Sequence, residues 1–171
     1  MKYFWSFVLA SCTLIAGELQ FTSIQSDFTQ KVTSPEGNVL EYTGSFYARE
    51  DNRALWIYTK PINKKIYFQT GRVLIVEPDL EQVIISALDS TPNLSSLLSK
   101  ATKIKTNLYE ATFGDTTYRI YAQAGLPQYI EYHDKLDNKV TISLTNVSTN
   151  LVLDNALFKP QFPTYYDVIN Q

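Results

Sequence analysis

A single histidine, His133, sits beside Asp134 in the run from Tyr129 to Asp134, and a histidine next to a carboxylate is the minimum from which a hydrolytic base is built. Such a base needs a serine presented on a sharp turn, and the Gly-x-Ser-x-Gly pattern that makes one is absent. His133 therefore reads as a surface or rim residue, with a lipid esterase acting through it kept as an alternative. One histidine and one cysteine cannot supply the common zinc patterns, the acidic residues are scattered rather than gathered into a calcium loop, and no phosphate loop occurs. The expectation is no catalysis, no metal and no cofactor. Glu81-Gln82, after Pro78-Asp79-Leu80, reads as a turn with a polar strand entry.

The remaining chemistry is apolar, and the elements that must hold it begin with the leader. Met1 and Lys2 form a short charged region, Tyr3 to Ile15 an apolar one too short to span a bilayer comfortably, and Ala16-Gly17 a small-residue junction. Residues 1–16 are expected to be a signal peptide and 17–171 a single exported domain. Leu9-Ala10-Ser11-Cys12 also has the form of a lipobox, in which Cys12 becomes an acylated first residue, but Thr13 to Ala16 continue the apolar region past it. Cleavage at Ala16 removes the only cysteine, so the domain is expected to hold no disulfide. Loss of Lys2 takes the net charge from −2 to −3, and the basic runs are short, Lys64-Lys65 and Lys103 with Lys105, which argues against a nucleic-acid partner.

Within the domain, Phe21, Ile24 and Phe28 stand three and four apart, which predicts a short helix over Leu19 to Ser26 that turns into a strand at Phe28. Beyond it, period two takes over. Tyr42, Gly44, Phe46 and Ala48 face one way, Trp56 and Tyr58 oppose Leu55 and Ile57, and Tyr67 opposes Ile66 and Phe68. Turn-forming clusters separate β-branched and aromatic runs, the pattern of an antiparallel sandwich or barrel. Thr91 to Lys100 is the exception, with Leu94, Leu97 and Leu98 at helical spacing after Pro92. Several strands are apolar on both faces, in a chain with 12 Tyr and 9 Phe. Either a second layer covers the sheet, or its concave face encloses an apolar cavity.

One ordered set of residues points further. Phe28-Thr29-Gln30-Lys31-Val32 is followed by Gly44-x-Phe46, by Trp56 and Pro61 at the two ends of a Trp-x-x-x-x-Pro stretch, and by Asp79-Leu80-Glu81-Gln82-Val83. Thr91-Pro92 then precedes the leucine-rich segment, and Asn150, Phe158 and Pro163 lead into Tyr166-Asp167-Val168-Ile169. In this order and spacing the chain resembles the periplasmic outer-membrane lipoprotein carriers, the LolA-type chaperones.

The resemblance implies a mainly β fold, an incomplete, half-open antiparallel β-barrel of about ten to eleven strands with short lid helices. It implies an acyl-binding cavity, for which Phe28, Phe46, Trp56, Tyr58, Tyr67, Leu94, Leu97 and Leu98 are the candidates. It also implies partners: triacylated lipoproteins as cargo, an inner-membrane ABC transporter of LolCDE type as donor, and an outer-membrane acceptor or the outer membrane itself as receiver, with the carrier a periplasmic monomer. In that family an arginine of an Arg-Pro doublet holds the lid closed. Counting back from Trp56 puts Glu50 at that position, so Arg49 and Arg53 are the lid-locking candidates. The alternatives within the same fold are a lipid-anchored acceptor, retained through Cys12, and a lipoprotein-sensing domain.

Overall fold

The computed structural model describes residues 19–87 and 94–171. The leader and Cys12, and with them the question of where the mature chain starts, lie outside the described residues, as does the Thr91-Pro92 entry to the helix. What is described is one sheet of twelve strands in the order β12-β6-β5-β4-β3-β2-β1-β11-β10-β9-β8-β7. Its central strands are β1 (Ser23–Thr33), β2 (Val39–Arg49), β11 (Lys139–Thr149), β3 (Ala54–Lys60) and β4 (Lys64–Gln69). On one side follow β5 (Arg72–Glu77), β6 (Gln82–Ala87) and β12 (Asp167–Asn170), on the other β10 (Leu126–His133), β9 (Thr116–Gln123), β8 (Leu108–Phe113) and β7 (Thr102–Lys105). Neighbours pair antiparallel, except that β12 runs parallel to β6. The two ends, β12 and β7, do not pair, so the sheet stays open.

Two expectations need correction. The strand count is twelve because the tail from Asp167 adds a strand: the backbone N–H of Asp167 donates to the carbonyl of Glu81 (2.9 Å), which starts the parallel pairing to β6. The helix expected over Leu19 to Ser26 is not formed, since β1 begins at Ser23. Ile24 and Phe28, four apart, also share parity on a strand, so both spacings bury them. Tertiary pairing decides, because β1 is bonded along its length by β2 on one side and β11 on the other.

The sheet curls strongly. In a flat sheet the six steps from β4 to β9 would separate those strands by about 29 Å, yet Phe68 of β4 and Tyr118 of β9 line one cavity. Gly44 helps the curl at the centre. A Cβ there would stand 1.8 Å from the Ile57 carbonyl oxygen, at the bulge where the β2–β3 register slips between Thr43 and Gly44. The absent side chain also leaves room for the Phe28 ring opposite it.

Both answers to the two-faced apolar pattern hold, on different faces. The concave face carries the main core, with Phe46, Ala48, Trp56, Phe68, Ile120, Ile130 and Leu144 among it, and helix α1 (Leu94–Lys100) packs there through Leu94, Leu97 and Leu98. The convex face of β3 to β6 carries a second cluster of Leu55, Tyr67, Leu74, Val76 and Val83, covered by a C-terminal strap through Leu153, Leu157, Phe158, Phe162 and Tyr166. The all-apolar run Val73 to Val76 follows, since Val73 and Ile75 belong to the concave cluster and Leu74 and Val76 to the convex one. Where no strap lies, around β8 to β11, the convex face is ionic, with Arg119 bridging Glu110 (3.3 Å) and Glu131 (3.9 Å).

Several of the family-like residues build these joints. Asn150, at φ +59°, ends β11, and its side-chain oxygen accepts from the backbone N–H of Thr22 (3.0 Å). Glu81 turns the chain at φ +50°, and the Gln82 amide donates to the Glu77 carboxylate (2.6 Å) across the same hairpin. The Glu81-Gln82 pair thus holds a turn and the start of β12.

Candidate functional site

Between the concave face and α1 lies a cavity of about 270 Å³. Trp56 and Tyr58 of β3 and Ile66 and Phe68 of β4 form one wall, Tyr118 of β9 and Ile130 and Tyr132 of β10 the opposite one. Gln30 of β1 and Ile142 of β11 lie between them, with Leu94 and Leu97 of α1 over the top. Strand parity aims these side chains inward, and the curl makes the two walls face each other. Among the described residues α1 is held on the sheet by apolar packing of Leu94, Leu97 and Leu98, while the Ser99 hydroxyl turns back to the carbonyl of Ser96 (3.0 Å) within the helix.

An aromatic group sets the shape of the inner wall. Phe28 meets Trp56 and Tyr58 edge-on, with centroids 4.8 and 5.0 Å away, and Phe46 lies 4.4 Å from Trp56 on its other side. The Tyr58 hydroxyl donates to Gln30 Oε1 (2.9 Å). Burial pushes the Tyr58 phenol well above its ordinary range, with the nearby phenols of Tyr132 and Tyr42 adding to the shift. Burial raises Tyr132 likewise, with Tyr118 and Asp134 contributing, and it raises Tyr118 as well. The cavity is therefore lined by hydrocarbon, neutral phenols and the Gln30 amide, with no ionised side chain in the lining itself.

The candidates taken from the sequence fall into three groups. Trp56, Tyr58, Leu94 and Leu97 line the cavity, whereas Phe28, Phe46 and Leu98 lie behind the lining as its packed support. Tyr67 does not belong with them: it sits on the convex face against the strap, because parity along β4 sends Ile66 and Phe68 inward and their neighbour outward. The lid-locking candidates, Arg49 and Arg53, both reach the C-terminal strap. Arg53 pairs with Asp51 (2.6 Å), donates to Asn155 Oδ1 (3.2 Å) and lies over the Phe158 ring (5.8 Å). Arg49 also donates to Asn155 Oδ1 and pairs with Asp51 (3.5 Å). These contacts fasten the C-terminal 3-10 turn Asn155–Phe158 to the convex side of the sheet, the face opposite α1.

Gln30, Ile66, Phe68, Tyr118, Ile130, Tyr132 and Ile142 were not among the candidates. The alternation of Tyr118, Ile120 and Ala122 marks an inward face, but only the pairing of β9 to β10 and of β10 to β11, with the curl of the sheet, brings this face onto β3 and β4.

The pair at His133 does not assemble. The Asp134 carboxylate accepts from the backbone N–H groups of Leu136 (2.9 Å) and Asn138 (3.0 Å) and from the Asn138 side chain (2.9 Å), closing the β10–β11 turn. Its slight burial pushes the carboxyl up, but these hydrogen bonds, with a smaller contribution from the charge of His133, outweigh it and hold the group below the usual range. His133 itself is exposed, beside Asp115, Thr116, Thr117 and Arg119 at the rim.

An open, curled sheet closed on its concave side by a short helix over an apolar cavity defines a binding module for apolar ligands. The family model described as "Outer membrane lipoprotein carrier protein LolA" matches residues 20–112. An outer-membrane lipoprotein carrier protein of Campylobacter jejuni is 37% identical over 98% of each chain, and one of Wolinella succinogenes is 37% identical over 80% of each. The chain belongs to the outer-membrane lipoprotein carrier family. In fold it is similar to an uncharacterized conserved protein from Thermus thermophilus, with TM-score 0.55 and 13% identity over 90% of this chain and 93% of that one. A LolA superfamily protein from Nitrosomonas europaea gives TM-score 0.52 and 11% identity over 84% and 93%.

Proposed function

We propose that this protein is a periplasmic chaperone that accepts lipoproteins released from the inner membrane, shields their acyl chains in the cavity beneath α1, and delivers them to the outer membrane. Its cargo is triacylated lipoproteins. Its donor is an inner-membrane ABC transporter of LolCDE type, and its receiver is an outer-membrane acceptor or the membrane itself. The observation that carries this reading is the apolar cavity between β3–β4 and β9–β11, capped by a helix, in a chain of the carrier family.

Each methylene withdrawn from water is worth about 0.8 kcal/mol, so free acyl chains do not cross an aqueous compartment unaided. A cavity as apolar as lipid makes the exchange between bilayer and carrier nearly neutral, and the direction then comes from the transporter's ATP and from differential contacts at each end. At about 270 Å³ the cavity lies below the roughly 300–1,000 Å³ of pockets that take a single drug-sized molecule. Loading with several chains therefore requires α1 to lift, which its apolar attachment permits.

The test is release. Inner-membrane vesicles carrying the transporter and a triacylated lipoprotein, supplied with ATP, should yield a soluble complex with the purified protein, and that complex should pass its cargo to outer-membrane vesicles. Cargo that stays in the inner membrane, while the Campylobacter jejuni relative releases it, contradicts the proposal. The mass of the exported protein checks the anchored alternative: a chain starting near Gly17 without fatty acid fits the carrier, and one starting at acylated Cys12 fits the acceptor.

A further inference from the structure

Polar side chains interrupt the apolar lining of the cavity. Gln30, Tyr58, Tyr118 and Tyr132 all line it, although they come from four different strands. Tyr58 donates to Gln30 Oε1 (2.9 Å), which occupies the amide oxygen and leaves the Gln30 Nε2 protons unspent. The rings of Tyr118 and Tyr132 stand 4.6 Å apart, and neither hydroxyl has a hydrogen-bond partner among the described residues. Nor are these groups sealed in, since among the described residues Ser26 Oγ is the enclosed side-chain polar atom left without a partner. Both tyrosines line the cavity, and Tyr132 also borders the rim groove beside His133.

A cluster of unspent, uncharged donors in an apolar pocket selects for one kind of ligand atom. Anions need a cation, and Lys64 Nζ, which lies over the Tyr58 ring (5.0 Å), is not itself part of the lining. A bare hydrocarbon strips water from the donors and gives nothing back. A neutral acceptor attached to an apolar chain satisfies both conditions, and the acceptor that every acyl chain carries at its root is the carbonyl oxygen of an ester or amide.

We propose that Gln30, Tyr118 and Tyr132 form a carbonyl-binding subsite that reads the ester or amide at the root of an acyl chain, with Tyr58 as the residue that positions Gln30. The cavity then prefers acyl lipids over alkyl chains of the same length and fixes how deep a chain sits. This inference rests on the reading of the cavity as an acyl-binding site.

The test compares two probes: a lipopeptide with two ester-linked chains on a glyceryl-cysteine, and its dialkyl ether counterpart with chains of equal length. Trp56 lies in the cavity wall and is the single tryptophan of residues 17–171, so its emission follows either titration. The ester should bind about tenfold tighter, the equivalent of one to two net hydrogen bonds. Tyr132→Phe, which removes one oxygen and keeps the ring, should lower that ratio through the ester alone, and Gln30→Leu should do the same. Equal affinities in the wild type, or variants that weaken both probes alike, overturn the subsite and leave the carrier reading intact. A wild type that binds neither probe overturns the carrier reading and this inference together. Competition by a dispersed phospholipid of the same chain length then tells whether the carbonyl belongs to any diacyl lipid or to the lipopeptide's own glyceryl-cysteine, since only the former competes at comparable concentration.

Discussion

Trp56 is packed on one side by Phe46 and met edge-on by Phe28, and its remaining face forms part of the cavity wall. A carboxylate placed there brings a charge into an apolar lining, so Trp56→Glu should sharply reduce uptake of an apolar dye, while Trp56→Phe weakens it only mildly. Dye titrations on the two variants, each checked for folding by circular dichroism, measure the difference. Gly44 makes a prediction of another kind. Its substitution by Ala drives a Cβ into the Ile57 carbonyl, and the strands must part or the bulge unwind, at a cost of about 2–3 kcal/mol or more in urea unfolding. The tyrosines predict a pH dependence. Burial raises the Tyr58 and Tyr132 phenols above the ordinary value of 10.0 in the folded protein, so the unfolded chain gives up these protons first as pH rises. The contribution is fully present below about pH 10 and is lost progressively above it, up to the folded values. Urea unfolding at about pH 8 and about pH 11 should show the fall, and Tyr58→Phe should make it shallower.

At the scale of elements, two covers sit on two faces of one sheet. The strap is anchored by Phe158, buried at 2% exposure in the convex cluster, and by Arg49 and Arg53 through Asn155. Phe158→Ala should therefore cost about 3–5 kcal/mol of stability, while leaving dye affinity unchanged at temperatures where the variant stays folded. Leu97→Ser, on α1, should do the reverse, with a smaller loss of stability and a clear loss of affinity. This separation shows what the sequence carried and what it did not. Parity placed Trp56 and Tyr58 on one face and Leu55 and Ile57 on the other, as the two clusters confirm, because alternation survives whatever covers the strand. Which face a given aromatic served was another matter: Tyr67 looks like a cavity residue until the strap is seen over it, and strap contacts run from Phe158 back to strands about ninety residues earlier, at a range local pattern does not reach. The helix expected over Leu19 to Ser26 failed for the same reason, since Ile24 and Phe28 satisfy both periods and only pairing with β2 and β11 chooses between them.

For the whole molecule, the open sheet is the functional feature and also a hazard, because unpaired edges invite other strands. Both edges are short, four residues each, and β7 carries Lys103 and Lys105, which opposes edge-to-edge association. The central claim is that acyl chains enter the concave side of this sheet beneath α1. Neighbouring residues of β4 provide the most direct measurement, since Phe68 faces the cavity and Tyr67 the strap, one position apart on the same strand. A photoreactive amino acid placed at either position, activated after export in cells making a triacylated lipoprotein, should capture that lipoprotein from position 68 and not from position 67. Equal capture from both, or capture from position 67 alone, would contradict the account.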